Sequence, residues 1–350
     1  MDKNTHVVIM AGGVGSRLWP ASTPQTPKQF IDVLGVGKSL IQLTVDRFRP
    51  VCPMSHFWVV TSSRYVDMVR AQLPDIPSEN ILAEPEARNT APCIAYSCWK
   101  IAARFPDANI VVTPADALVL EKEAFVNVIS TALSFSASNP AVVTVGIVPT
   151  RPETGYGYIC AGKAEYGKVT KVQAFKEKPD AVTAEKYLSE GNYFWNAGIF
   201  VWNVRTIVSQ FRQFSPGIAG VMDRLAPHLY TDTETTALKE LFPQCEKISI
   251  DYAVMEKSPD IFVIAADLGW SDLGSWGSVK SHIARDDDGN AVVGDDVRLF
   301  HCRECVVHLP SVKSAILEGL DGYIVAEKNG ALLVCRLSDE QHIREYSSGK

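Results

Sequence analysis

Val7-Val8-Ile9-Met10-Ala11-Gly12-Gly13-Val14-Gly15-Ser16-Arg17-Leu18-Trp19-Pro20 is an apolar run that breaks on three glycines. The run His6–Ala11 is short and continuous, which suits a strand buried on both faces. The glycines let the backbone turn tightly and bring N–H groups against a phosphate. Arg17 and Lys28 add positive charge a short distance on. A purely structural turn is the other reading. Two better-known phosphate motifs do not fit. A dinucleotide fingerprint needs its third glycine at 18, which is Leu18, and a P-loop ending at Gly37-Lys38-Ser39 needs a glycine at 32, which is Asp32. Residues 37–39 read better as a helix start, with Ser39 as cap and Gln42 completing a capping box.

Outward from this stretch, strands are expected at His56–Thr61, Asn80–Ala83, Asn109–Thr113 and Ala141–Ile147, with helices near 39–49, 63–73, 90–104 and 122–138. Such alternation predicts an α/β fold with a mostly parallel sheet covered on both faces. Ligands of such sheets bind beyond the carboxyl ends of the strands, so chemistry is expected in the loops after 11, 83 and 113. From 151 to 285 the pattern loosens, with strand-like pieces at 156–161, 168–176 and 196–202. Beyond 290 short β-rich segments dominate, and Asn329-Gly330 between Tyr323–Lys328 and Ala331–Leu337 is a hairpin signal. Asp286-Asp287-Asp288-Gly289-Asn290 reads as a linker, dividing the chain into domains 1–290 and 291–350.

Composition narrows the function classes. The 350 residues are 46% hydrophobic and 21% charged, as in an ordinary globular protein, and no apolar stretch reaches the roughly 18 residues of a membrane span. The N-terminal apolar run is too short for a signal-peptide core, so a cytoplasmic protein is expected. Lys plus Arg number 34 against 40 Asp plus Glu, a net charge of −6, which argues against nucleic acid as partner but leaves room for a small phosphorylated ligand. The eight cysteines include Cys302-x2-Cys305, a zinc-ligand spacing. With no second pair, and with the two thiols on opposite faces if they lie on one strand, ordinary cysteines are expected.

The blocks along the chain resemble those of the sugar-phosphate nucleotidylyltransferases, and within them are most similar to the mannose-1-phosphate guanylyltransferase family. The resemblance rests on Gly12–Pro20 with Pro27-Lys28-Gln29-Phe30, then Glu84-Pro85-Glu86-Ala87-Arg88-Asn89-Thr90-Ala91-Pro92 and Pro114-Ala115-Asp116. It continues through Glu153-Thr154-Gly155-Tyr156-Gly157-Tyr158-Ile159, Phe175-Lys176-Glu177-Lys178-Pro179, Trp195-Asn196-Ala197-Gly198-Ile199-Phe200 and Trp270-Ser271-Asp272-Leu273-Gly274-Ser275-Trp276. The blocks come in the family's order and cover essentially residues 6–340.

The resemblance implies a Rossmann-like nucleotidyltransferase domain and a short β-helix-like C-terminal domain that takes part in homodimer contacts. It implies attack of mannose 1-phosphate on the α-phosphorus of GTP with Mg²⁺, giving GDP-mannose and pyrophosphate. Ala11, Gly12, Gly13, Gly15, Ser16 and Arg17 would hold the GTP phosphates. Lys28 would sit at the α-phosphate, making Arg17 and Lys28 the catalytic pair. Glu84, Asn89 and Thr90 would border guanine and ribose, although Asn89 or Thr90 also reads as a helix cap. Asp116 and Asp272 would bind the metal, the alternative being turn-forming aspartates. Asp116, Gly157, Glu177, Lys178 and Asn196 would bind the sugar phosphate. Glu177 and Lys178 also read as a solvated pair, whereas Asn196, an amide in an apolar run, needs a partner.

The sequence departs from the family at Ala117, commonly His, and at Ala21, commonly a larger apolar residue; neither is an assigned ligand. Long family members carry a cupin-like isomerase domain. Only 60 residues follow 290, so no phosphomannose isomerase activity is expected. Two rival readings remain: a related transferase with another sugar or nucleotide, and a non-catalytic sugar-nucleotide sensor. Retention of Arg17, Lys28, Asp116 and Asp272 argues against the sensor.

Overall fold

The computed structural model describes residues 4–348, apart from the side chains of 163–166. The chain forms two compact units. The first comprises residues up to Gly12, Arg47–Pro114 and Val119–Trp270; the second comprises Gly13–Asp46, Ala115–Leu118 and Ser271 onward. The units therefore divide the chain elsewhere than at 290.

The first unit is built on a nine-stranded sheet. Its strands are β1 Thr5–Ala11, β2 Phe57–Ser62, β3 Ile81–Glu84, β4 Asn109–Pro114, β5 Val142–Ile147, β6 Gly157–Tyr166, β7 Val169–Glu177, β8 Tyr193–Asn203 and β9 Ile261–Ala266, in the order β3-β2-β1-β4-β8-β5-β9-β7-β6. β1 to β4 pair in parallel, as do β5 and β9, while β7 and β8 run against their neighbours. Seven strands thus point one way and two are reversed, because β6 is antiparallel to both. Val7, Val8 and Ile9 are fully buried, as a continuous apolar run in a two-sided sheet must be. The core joins β1, β2, β4 and β8 to the helix Thr90–Ala102 and the helices Val204–Phe214 and Pro216–Leu225, with Trp58, Trp202, Phe211 and Phe242 at its centre.

In the second unit β10 Ala291–Val293, β12 Val306–His308 and β14 Tyr323–Lys328 stack in parallel, and β11 Val297–Phe300 stacks on β13 Ala315–Glu318. The first two coils each carry one strand of each sheet, the layout of a short β-helix. β15 Ala331–Arg336 closes it as an antiparallel hairpin with β14, and both turn residues, Asn329 and Gly330, take positive φ. Two expectations are corrected here. Residues 286–290 are an anchored turn, not a linker. Asp286 accepts from the N–H groups of Asp288 and Asn290, and the buried Asn290 side chain bridges the Cys302 oxygen and the Cys305 N–H. Cys302 and Cys305 lie at a coil corner, not on a strand. Both thiols enter the same apolar cluster and point to main-chain oxygens. Among the described residues no helix is long and apolar enough to cross a membrane.

Candidate active site

In the second unit the glycine loop is folded around Lys28. Gly15 has φ +75°, and a Cβ there would lie 2.6 Å from Lys28 Cβ, so only glycine allows both the turn and the close approach. The Lys28 N–H donates to the Val14 oxygen at 3.0 Å, closing the loop. Pro27 begins the 3-10 turn Lys28–Phe30, which drives the lysine inward until it is 4% exposed. Such burial of an ammonium requires acceptors. Lys28 Nζ meets the Asp116 carboxylate at 3.0 Å and donates to the main-chain oxygen of Asp272.

Asp272 itself is shaped by its neighbour. Its Oδ1 accepts from the Gly274 N–H at 2.9 Å. A Cβ on Gly274 would overlap the Asp272 carboxylate and lie 2.9 Å from Arg17 Nη2. Arg17, from the 3-10 turn Ser16–Leu18, and Asp272 therefore meet over a residue that has to be small. Residues from all three segments of this unit, Arg17 with Lys28, Asp116 and Asp272, form one charged constellation. Hard carboxylate oxygens on Asp116 and Asp272 suit Mg²⁺, which is ordinarily held by one or two carboxylates with phosphates and water completing its shell. Among the described residues no group of three or more His, Cys, Asp or Glu could hold a metal on its own. An ion bound here would take its remaining ligands from phosphate oxygens and water.

Within the first unit, taken by itself, two further groups stand out. Ala11 ends β1 with its oxygen accepting from Thr61 Oγ1 at 2.8 Å. At Gly12 a Cβ would lie 3.9 Å from Glu84 Oε2. Glu84 ends β3 almost fully buried. Among the described residues its Oε1 has no hydrogen-bond partner, and burial pushes its carboxyl up to about 7. A buried carboxyl oxygen lacking a partner calls for an explanation, and a ligand's N–H or O–H group would be one. Asn89 caps the helix Thr90–Ala102, its Oδ1 accepting from the Thr90 N–H at 2.8 Å. Thr90 Oγ1 accepts from the Ile250 N–H at 2.9 Å, so this hydroxyl ties the helix start to the segment around 250.

The second group lies on the hairpin β6–β7 and on β8. Gly157 pairs with Glu177, and its missing Cβ leaves space 2.6 Å from Glu177 Oε2 and 3.8 Å from Asn196 Nδ2. Lys178 pairs with Glu177 while held at φ +45°. Asn196 Nδ2 donates to Asp251 Oδ1 at 2.9 Å, and Asn196 Oδ1 accepts from the Gly198 N–H at 3.0 Å. Asp251 is not among the residues that the sequence motifs single out. It begins a π-helical turn, Asp251–Met255, and burial, then the Glu177 charge, raises its carboxyl above the usual range. A signal for it does exist: an aspartate in the apolar run Ile248–Met255 needs a partner just as Asn196 does.

Comparison with known proteins shows the family. The family model described as nucleotidyl transferase matches residues 6–288. The chain belongs to the nucleotidyl transferase family. It is 36% identical over 343 residues to the xanthan biosynthesis protein XanB of Xanthomonas campestris, covering 97% of this chain and 72% of that protein. It is 35% identical to mannose-1-phosphate guanylyltransferase 2 of Escherichia coli O157:H7, covering 98% and 73%. A Thermus thermophilus crystal structure described as a mannose-1-phosphate geranyltransferase superposes with a TM-score of 0.89 at 30% identity, covering 99% of both chains. For this nucleotidyl transferase the relatives extend the likeness through the C-terminal coils, beyond the segment that the family model matches.

Proposed function

We propose that the chain transfers GMP from GTP to α-D-mannose 1-phosphate, giving GDP-mannose and pyrophosphate. The observation that carries this reading is the buried Lys28 ammonium, held by Asp116 and the Asp272 main chain against the Gly15 turn. The family and the names of its relatives supply the reaction class. A phosphate oxygen of the sugar phosphate forms a bond to the α-phosphorus, and the bond to pyrophosphate breaks. Such a reaction needs two anions aligned and their charge offset more than it needs covalent help. Lys28 offers a fixed positive charge that costs no reorganisation as the reaction proceeds. Arg17 and the N–H groups of Gly12 to Ser16 hold the triphosphate. Asp116 and Asp272 would hold Mg²⁺, which when bound neutralises phosphate charge.

Glu84 takes the base, whose ring N–H and amino groups match a buried carboxyl lacking a partner. Glu177 and Asn196, with the space over Gly157, take the sugar hydroxyls, and Lys178 takes the sugar phosphate. The reaction runs in the cytoplasm, in a homodimer joined through the C-terminal coils. Exposed Phe300, Ile316, Leu332 and Val334 on β11, β13 and β15 support that contact. The test is a pyrophosphate-release assay crossing the four nucleoside triphosphates with the 1-phosphates of mannose, glucose and N-acetylglucosamine. Release confined to GTP with mannose 1-phosphate is the expected result. Equal release with another pair overturns the substrate assignment, and no release with any pair overturns the activity.

A further inference from the structure

We infer that Asp251 is a positioning residue for the sugar end of the site, acting through Asn196. The Asn196 amide is pinned at both ends. A carboxylate only accepts, so it requires the amide nitrogen facing Asp251; a main-chain N–H only donates, so Gly198 requires the amide oxygen. Gly198 can aim its N–H this way because it sits at φ +69°, where a side chain is disfavoured. One N–H of Asn196 Nδ2 is left to face a ligand. That nitrogen and Glu177 Oε2 border the same space, at 3.8 Å and 2.6 Å from the position of a Cβ on Gly157.

A donor and a charged acceptor side by side are what two neighbouring hydroxyls of a sugar require. Without Asp251 only the Gly198 N–H would hold the amide, and whenever that single bond opened the oxygen would turn toward Glu177, two acceptors where one donor is needed. Asp251 is itself fixed. It opens a π-helical turn, and the preceding Ile250 N–H is held by Thr90 Oγ1 while the Ile248 oxygen accepts from the Ala91 N–H. π-Turns are rare and recur at functional sites.

The inference rests on mannose 1-phosphate being the substrate, so wild-type turnover with that sugar is measured first; its absence would remove the functional reading and leave the role of Asp251 to fall with it. Given wild-type turnover, Asp251→Ala is expected to raise the KM for mannose 1-phosphate about tenfold while the KM for GTP stays within about twofold. Asp251→Asn, whose amide oxygen still accepts from Asn196, should bring the KM back to within about threefold of wild type. Because Asp251 acts through Asn196, the double variant Asn196→Ala/Asp251→Ala should be no worse than Asn196→Ala alone. Should Asp251→Ala not fold, Asp251→Leu, with the same branched outline and without a charge to bury, carries the same expectation. The inference is overturned by an unmoved sugar KM, by equal rises for both substrates, by no recovery in Asp251→Asn, or by single effects that multiply in the double variant. It is overturned equally if neither the alanine nor the leucine variant folds, which would make Asp251 a residue of the fold alone.

Discussion

Lys28 is the single side chain whose surroundings say most about the reaction. A buried ammonium with a carboxylate on one side and a carbonyl on the other cannot be replaced by a neutral group without leaving acceptors bare. Lys28→Ala is expected to lower turnover by about 10²–10³, the usual loss for one charge-stabilising donor, and to weaken GTP binding far less. Steady-state rates beside equilibrium titration with GTP separate the two effects. Glu84 gives a different test. Its carboxyl holds its proton up to about 7, against 4.5 for an ordinary glutamate, through burial. Between those two values the unfolded chain has released a proton that the folded chain keeps. Stability from this group is therefore full below pH 4.5 and is lost as pH rises to 7. Glu84→Gln should leave the Tm at pH 4.5 unchanged and raise it above pH 7, with a gain on the order of 3 kcal/mol as an upper figure. Thermal melts across that range check the sign; a gain at low pH would contradict it.

At the scale of elements, the hairpin β6–β7 brings Gly157 opposite Glu177, and the space between them exists only because residue 157 lacks a Cβ. No positive φ is needed there, so Gly157→Ala should fold. The added methyl would push aside the movable end of Glu177. The KM for mannose 1-phosphate is expected to rise about tenfold, with the Tm within a few degrees, since the displaced atom belongs to a flexible side chain. Parallel melts and KM measurements test both halves. The strands of the first five α/β segments and their helices were legible because a run such as Val142–Ile147 and a periodicity such as that of 90–104 each point to one structure. The reversal of β8 was not legible. Nothing in Tyr193–Asn203 states direction; that depends on which neighbours it meets, Val201 against Val111 on one side and Val143 on the other. The charged residues of the candidate site were nameable because they sit in blocks with glycine or proline. Asp251 was missed because it stands outside any block, and the cysteine pair was misplaced because a coil corner leaves no alternation to read.

At the scale of the whole molecule, the boundary read at 290 and the compact units differ for a reason. The apolar cluster of the second unit joins Leu18, Ile31, Val33 and Leu40 from the early chain to Trp276, Val306, Ile324, Leu333 and Ile343 from the late chain. A composition shift at 286–290 cannot reveal that partnership. A chain ending at 290 is expected to lose the cooperative melt of this unit and with it all turnover, because the cluster would lose Val306, Ile324, Ala326, Leu333 and Ile343 at about 2–5 kcal/mol for each large side chain removed. Calorimetry of the truncated chain decides this; a cooperative transition with activity retained would contradict it. For assembly, sedimentation should give a dimer for the full chain and a monomer for Leu332→Glu/Val334→Glu, since both side chains are exposed on β15 and charge repels an apolar partner.

The three-segment make-up of the second unit also has a meaning for the chain's own synthesis. A ribosome completes Gly13–Asp46 early and the segment from Ser271 late. At about 5–20 residues per second, the glycine loop waits roughly a quarter of a minute to a minute for the strands that share its core. Throughout that interval Leu18, Ile31 and Leu40 emerge into the cell uncovered. The order in which the polypeptide is born, not only the order in which it packs, thus sets when the apolar cluster around this loop can first close.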